Sequence, residues 1–146
     1  MKNLLKQRPN TAKLRSLSWS RKLLLLRVFT VLTAYKCLLL FIPISRFIKK
    51  TSPTHQTPKL PPQDQIDAII WVIRVLSQRI PLSFTCLVQA LSAKQLLNNH
   101  PDVRLCIGVH KSDEQDFSAH AWVVYNNKII LGGQTAHLFQ PILEWN

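Results

Sequence analysis

The chain has 146 residues, 47% of them hydrophobic, which is the size and composition of one domain that buries a core. Its net charge of +12 comes from residues 1–50, which contain twelve Lys or Arg and no Asp or Glu. Such a basic block favours an anionic surface, whether a membrane, a nucleic acid or an acidic protein. Nucleic-acid binding is disfavoured, because the chain lacks the aromatic pattern and fold signals of that class.

The three cysteines, Cys37, Cys86 and Cys106, form no C-x-x-C pair, and their odd number argues against a disulfide framework or a zinc site. No His, Cys or carboxylate pair has metal-ligand spacing, so we expect neither a metal nor a cofactor. A reducing cytoplasm is the expected location. The N-terminus does not resemble a signal peptide, because its apolar stretch begins only near Leu23 and no small-residue cleavage site follows.

The apolar stretch from Leu23 to Ile44 is close to the ~20 residues that a membrane span requires. Arg27 and Lys36 interrupt it, and each charge at bilayer depth costs on the order of 3 kcal/mol. A helix would place these two charges on opposite sides, so the stretch is not cleanly amphipathic. Three settings remain open: packing on its own domain or a partner, lying on the inner face of the cell membrane, or spanning the bilayer.

Composition divides the chain into three parts. Residues 1–50 form a basic helical arm, residues 51–62 (TSPTHQTPKLPP) form a Pro-rich linker, and residues 63–146 form the functional domain. We expect the arm to contribute to partner or membrane association and not to chemistry. Its deletion would then leave the Cys86 thiol reactive.

Two helices are predicted after the linker. Apolar residues recur at helical spacing from Gln63 to Arg79, and Pro81 ends that segment. Ser83 or Thr85 can cap a second helix, which runs from about Cys86 to Asn98.

The C-terminal third changes to a pattern rich in Val and Ile, which is typical of strands. We predict strands at Arg104–His110, Ala121–Tyr125 and Lys128–Leu131, with Asn126 and Asn127 forming a two-residue hairpin turn because Asn tolerates positive φ. Helices followed by an antiparallel sheet indicate an α+β domain.

Cys86 and His120 are the candidate nucleophile and base. Cys86 lies at the start of the second helix, in SFTCLVQAL, and His120 lies at the entry to a strand, in FSAHAWVVY. The positive end of a helix dipole favours a thiolate, and an imidazole can take the thiol proton. Unpaired backbone donors in the same helical turn can receive an oxyanion. The pair indicates thiol chemistry on an acyl group.

The neighbouring residues suggest packing. Cys106 and Cys37 lie among apolar residues and are expected to behave as small buried hydrophobes. Trp122 is expected to point to the strand face opposite His120 and to pack in the core, the alternative being that it shields the imidazole.

From about Gln63 to Trp145 the chain resembles the transglutaminase-like, papain-type thiol domain of the leader peptidases that mature lasso peptides, in their stand-alone form. The matching motifs are Cys-Leu-x-x-Ala-Leu at 86–91, Leu-Leu at 96–97, Leu-x-Ile-Gly-Val at 105–109 and Phe-Ser-Ala-His-Ala-Trp-Val at 117–123. The basic, Leu-rich arm is also similar to the N-terminal region of stand-alone members.

This resemblance implies a peptidase that cuts a ribosomally made precursor at the junction of leader and core. Cys86 would attack the scissile carbonyl, and His120 would deprotonate Cys86 and later protonate the departing amine. The implied partners are the precursor peptide, a separate small recognition protein that binds the leader, and an ATP-dependent macrolactam cyclase.

The third catalytic residue departs from the family pattern. Family members have an Asp after the hairpin, and the position that aligns with it here, twelve residues after His120, is Gly132. Gln134 or Asp116 could orient the imidazole instead, as could a backbone carbonyl or nothing. An alternative function therefore remains open, a non-catalytic membrane-associated or adaptor protein with a degenerate papain-like fold, and so does amide-forming acyl transfer through the same thioester.

Overall fold

The computed structural model describes residues 19–43, 59–111, 117–134 and 136–145. Within these residues, three helices precede four strands in the order α1 (Trp19–Phe41), α2 (Gln63–Arg79), α3 (Cys86–Leu96), β1 (Val103–Lys111), β2 (Phe117–Tyr125), β3 (Lys128–Leu131) and β4 (Gln140–Trp145), with a 3-10 turn at Ala136–Leu138. This order confirms the α+β class. Most of the predicted linker, and the candidate Asp116, lie outside the described residues.

The strands form one antiparallel sheet in the order β3-β2-β1-β4. The hairpin between β2 and β3 has the predicted turn, with Asn126 and Asn127 at φ 48° and 59°. These values are those of a two-residue turn whose twist matches the flanking strands. The hairpin thereby fixes where β3 ends relative to His120.

The strand β4 was not predicted. It pairs with β1, with Leu105 opposite Trp145, and the register shifts between Ile107 and Gly108, next to Pro141. A proline has no N–H to donate and is tolerated on an edge strand, which is the position that β4 occupies. The proline and the short length of this strand made its pattern weak in the sequence.

The two predicted helices after the linker are confirmed. The helix α2 ends at Arg79 before Pro81, and its inward residues are buried. The helix α3 ends at Leu96, two residues before the predicted end, because Asn98 and Asn99 adopt positive φ values of 59° and 51°. Such left-handed residues commonly terminate helices.

One face of the sheet packs on the three helices. The core contains residues from every helix and from β1, β2 and β3, among them Val28, Leu32, Ile66, Ile73, Leu91, Leu105, Val123 and Leu131. A smaller cluster covers the other face: Cys106, Trp122, Val124 and Ala136 are buried there, with Phe139 against them. The expected packing role of Cys106 is therefore confirmed, whereas Cys37 is exposed on α1.

The apolar segment of the arm packs on the rest of the chain. Val28 and Leu32 of α1 are completely buried in the core shared with α2 and α3. Lys36, one of the two charges that interrupt the apolar segment, places its Nζ 5.9 Å from the centre of the Phe84 ring. By length and composition alone, with a mean hydropathy of 1.9, α1 could also cross a membrane.

Candidate active site

The N-terminus of α3 presents Cys86. Thr85 is extended, and its hydroxyl accepts a hydrogen bond from the Val88 N–H at 3.4 Å, as a helix cap does. Gln89 Nε2 donates to the Phe84 carbonyl at 2.8 Å and so holds Phe84, the residue before the cap, against the helix. The half-buried thiol of Cys86 therefore lies in a fixed first turn, whose N–H groups lack helical partners.

His120 lies on β2, beyond the last β2–β3 pair, Val123 and Leu131. Its ring is stacked on Trp122, with 6.1 Å between ring centres, and packs against Phe139 at 5.2 Å. Across the sheet, His120 pairs with Gly108, where a Cβ would lie 2.7 Å from the Trp122 ring. The glycine thus leaves room for the ring that supports the imidazole.

The predicted orientation of Trp122 was wrong. Side chains two residues apart on a strand share a face, so Trp122 lies on the same side of β2 as His120. Trp122 is nevertheless buried, at 6% exposure, in the cluster on that face. Trp122 thus contacts the imidazole of His120, as expected under the alternative that it shields this ring.

The imidazole is oriented by a backbone carbonyl. His120 Nε2 lies 2.8 Å from the carbonyl oxygen of Gly132. A carbonyl only accepts hydrogen bonds, so Nε2 carries the proton in this contact, and Nδ1 is the nitrogen that has the lone pair when the ring is neutral. This contact corresponds to the backbone-carbonyl alternative, and it is made by the residue that the resemblance aligns with an Asp.

Gly132 can present its carbonyl because it has no side chain. Its φ is +78°, and a Cβ on this residue would lie 2.8 Å from the Ala121 carbonyl oxygen and 3.0 Å from the Trp122 Cβ. Both the dihedral angle and these contacts exclude an unstrained side chain. The departure from the family pattern is thus built into the backbone at this position.

Cys86 and His120 line one cleft of about 690 Å³. The opposite wall comes from α2 and includes Arg74, whose Nη2 donates to the Ile130 carbonyl at 2.6 Å and joins α2 to β3. Gln134 lines the same cleft, and its role in orienting the imidazole stays a prediction. The cleft has the volume of a typical ligand site and mixes polar with apolar walls, which suits a peptide segment.

Sequence reasoning missed four groups at this site: Arg74, Gln89, Phe139 and the Gly132 carbonyl. Arg74 and Gln89 occur in helical segments where a polar residue normally indicates a solvated face. The one available signal was the position of Gly132 directly after a predicted strand, since a glycine there often marks a turn or a close backbone approach. Among the described residues, no group of three or more His, Cys, Asp or Glu could hold a metal ion.

The sequence profile of the transglutaminase-like superfamily matches residues 29–144. The chain belongs to the transglutaminase-like superfamily. No curated protein and no solved structure matches significantly. This superfamily includes cysteine peptidases and commonly has cysteine-protease activity. The match begins inside α1 and ends in β4. It therefore includes part of the helix of the arm, and it includes the edge strand that the sequence analysis did not predict.

Proposed function

We propose that this transglutaminase-like protein is a cysteine peptidase that removes the leader from a ribosomally made precursor, as the leader peptidases of lasso-peptide maturation do. The observation that supports a peptidase is the shared cleft: the thiol at the start of α3 and the imidazole on β2 both line it. The lasso-peptide assignment is supported by the motifs around Cys86 and His120, which are similar to those of the leader peptidases.

The chemistry follows the usual order for thiol acyl transfer. His120 Nδ1 takes the Cys86 proton, and the thiolate attacks the carbonyl carbon at the leader–core junction. N–H groups of the first turn of α3 stabilise the oxyanion. The imidazolium then protonates the nitrogen of the core as the C–N bond breaks, leaving a thioester on Cys86. Water, deprotonated by His120, hydrolyses that thioester, which releases the leader carboxylate and restores the thiol.

The carbonyl of Gly132 fixes the tautomer of His120 in this scheme. Its hydrogen bond to Nε2 directs the lone pair of Nδ1 away from β3, which leaves that nitrogen to act as the base. A neutral carbonyl stabilises an imidazolium less than a carboxylate does. We therefore expect the orienting function to be kept and the electrostatic contribution of a third residue to be reduced.

The proposed partners are the precursor peptide, a separate recognition protein that binds its leader, and an ATP-dependent macrolactam cyclase that uses the released core. The proposed location is the cytoplasm, where a reducing environment keeps the three thiols in the free state seen here.

The second candidate is a non-catalytic adaptor. The observation that favours it is Gly132, because the carboxylate of the family is absent from this position. The two functions differ in the reactivity of Cys86. A nucleophile in a peptidase reacts with iodoacetamide much faster than the exposed Cys37, whereas an adaptor thiol does not.

The deciding experiment is cleavage of the precursor peptide encoded beside the gene, by purified protein with its recognition partner, followed by mass spectrometry. We expect leader release by the wild type, and no release by Cys86→Ala or His120→Ala. Cys37→Ala is the matched control, since it removes an exposed thiol far from the cleft. Absence of release by a folded, partner-bound wild type would contradict the peptidase proposal and favour the adaptor.

A further inference from the structure

Most of the exposed residues of α1 are apolar, and its exposed polar residues, Ser20, Arg21, Lys22 and Arg27, lie in its N-terminal half apart from Thr30. We name as the outward face the eight exposed residues that lie opposite Val28 and Leu32 on the helix: Trp19, Leu23, Leu26, Thr30, Ala34, Cys37, Leu40 and Phe41. Leu40 is 73% exposed and Phe41 86% exposed. A helix on the surface of a soluble protein normally turns a polar stripe to water, so this face needs an apolar partner.

The outward face has few polar side-chain groups, chiefly the indole N–H of Trp19 at its N-terminal end and the hydroxyl of Thr30. Its one hydroxyl, on Thr30, donates to the Leu26 carbonyl at 2.9 Å within the same helix. A hydroxyl satisfied in this way can leave water at little cost. Over 23 residues the face is about 35 Å long.

The charges beside this face are all positive. Lys22 and Arg27 are exposed on its two flanks, and residues 1–50 contain twelve basic and no acidic side chains. Two copies of such a surface would repel each other, which disfavours a second copy of this chain as the partner. An anionic partner is complementary to both flanks at once.

From these observations we infer that the outward face of α1 docks on an anionic lipid surface, with the helix lying in the plane of the membrane. A spanning helix is incompatible with the fold, because Val28 and Leu32 would have to leave the core. A helix lying flat keeps both residues buried, places Leu23, Leu26 and Leu40 among acyl chains, and leaves Lys22 and Arg27 at the headgroups. This inference does not depend on the peptidase proposal.

The test is flotation of the full-length protein with vesicles of phosphatidylglycerol or of phosphatidylcholine alone. The variant Leu23→Gln/Leu40→Gln changes the outward face at side chains that are 53% and 73% exposed. Its matched control is Leu138→Gln/Ile142→Gln, at side chains that are 52% and 63% exposed elsewhere on the molecule. Thermal unfolding of both variants shows whether each keeps its fold.

We expect the wild type and the control to bind phosphatidylglycerol vesicles, and binding by Leu23→Gln/Leu40→Gln to be at least about tenfold weaker. Binding to phosphatidylcholine should also be weaker for every form, because the basic flanks lose their partner. Equal vesicle binding by the variant and the wild type would overturn the inference, as would equal binding to both lipids. Capture by immobilised polyglutamate without vesicle binding would indicate an acidic protein partner instead.

A second measurement uses the exposed thiol of Cys37, which lies on the outward face. In a Cys86→Ala background, phosphatidylglycerol vesicles should slow the reaction of Cys37 with a charged, membrane-impermeant maleimide. An unchanged rate for vesicle-bound protein would show that another surface makes the contact.

Discussion

At the scale of single residues, the least expected group in the cleft is the carbonyl of Gly132. The resemblance aligns an aspartate with this position, whereas here a backbone oxygen lies 2.8 Å from His120 Nε2. Replacing Gly132 by Asp does not simply restore the family site, because the new Cβ would contact the Ala121 carbonyl at 2.8 Å. The backbone conformation at position 132 therefore requires a glycine there.

We predict that Gly132→Ala and Gly132→Asp both lower leader release and destabilise the protein by about 1–3 kcal/mol, because each forces a side chain into a positive-φ position. Gly133→Ala is the matched control, since its φ is not positive and its added Cβ meets only the exposed side chain of Ile129, at 3.2 Å. The checks are leader release and chemical denaturation of the three variants. An increase in leader release with Gly132→Asp would contradict this assignment and favour a side-chain partner for His120.

The sequence made Cys86 and His120 predictable, because each is defined by a local motif and by the element on which it lies. It could not predict the Gly132 carbonyl, since every residue has a carbonyl and only the backbone path selects one. The orientation of Trp122 was available from strand alternation and was nevertheless assigned wrongly. Because of this error, the stacking of Trp122 on the His120 ring was not predicted.

At the scale of elements, Lys94 ties α3 to the sheet. Its side chain is 1% exposed, and Nζ donates to the Val103 carbonyl at 2.8 Å and lies 5.5 Å from the centre of the Trp145 ring. Burial lowers the pKa of Lys94 from 10.5 to about 8. The Lys94 amine thus joins α3, the helix that presents Cys86, to β1 and β4. Its pKa is lowered because burial disfavours the charged form of an amine.

This burial predicts a pH dependence of stability. Between pH 8 and 10.5 the unfolded chain binds a proton at Lys94 that the folded protein does not, so the contribution of Lys94 to stability rises with pH across this window. The stability of Lys94→Met relative to the wild type should therefore fall from pH 7 to pH 10.5, by up to about 3 kcal/mol. Denaturation midpoints at a series of pH values provide the measurement.

Tyr35 and Cys106 also change the pH dependence of stability, which is why the variant is compared with the wild type. Burial raises the pKa of Tyr35 and of Cys106, so both disfavour the folded state at high pH in either protein. The exposed Lys128→Met is the control, and its difference from the wild type should stay flat. A flat difference for Lys94→Met as well would show that Lys94 keeps an ordinary affinity for its proton.

The elements themselves were largely predictable, and the exceptions have physical reasons. Periodicity located α2, and two Asn residues located the hairpin. The edge strand β4 was missed because Pro141 interrupts a six-residue run. The burial of Lys94 was not predicted, since a lysine is almost never fully buried unless it is paired.

At the scale of the whole molecule, α1 belongs to the same core as α2 and α3. The sequence left this open, because an apolar segment interrupted by Arg27 and Lys36 suits packing, a membrane surface or a span. Removal of residues 1–50 would strip Val28 and Leu32 from the core, so a deletion cannot test association alone. Point substitutions on the two sides of α1 separate the roles of the helix.

We predict that Leu32→Ala, on the inner side of α1, lowers the free energy of unfolding by about 2–5 kcal/mol because it leaves a cavity. Leu26→Ala, at a side chain that is 62% exposed on the outward face, should change it by less than about 0.5 kcal/mol. Urea denaturation of both variants checks this pair. Equal effects would mean that α1 is not packed as described.

The outward face of α1 also determines how the protein behaves when no lipid is present. Folding alone would tolerate polar residues at these exposed positions, so the apolar side chains on this face lower solubility without improving the core. In dilute buffer the charge of +12 keeps molecules apart. At 0.1 M salt this repulsion is largely screened beyond about 10 Å, whereas the apolar attraction is left intact. We therefore expect the solubility of the lipid-free protein to fall as the ionic strength rises.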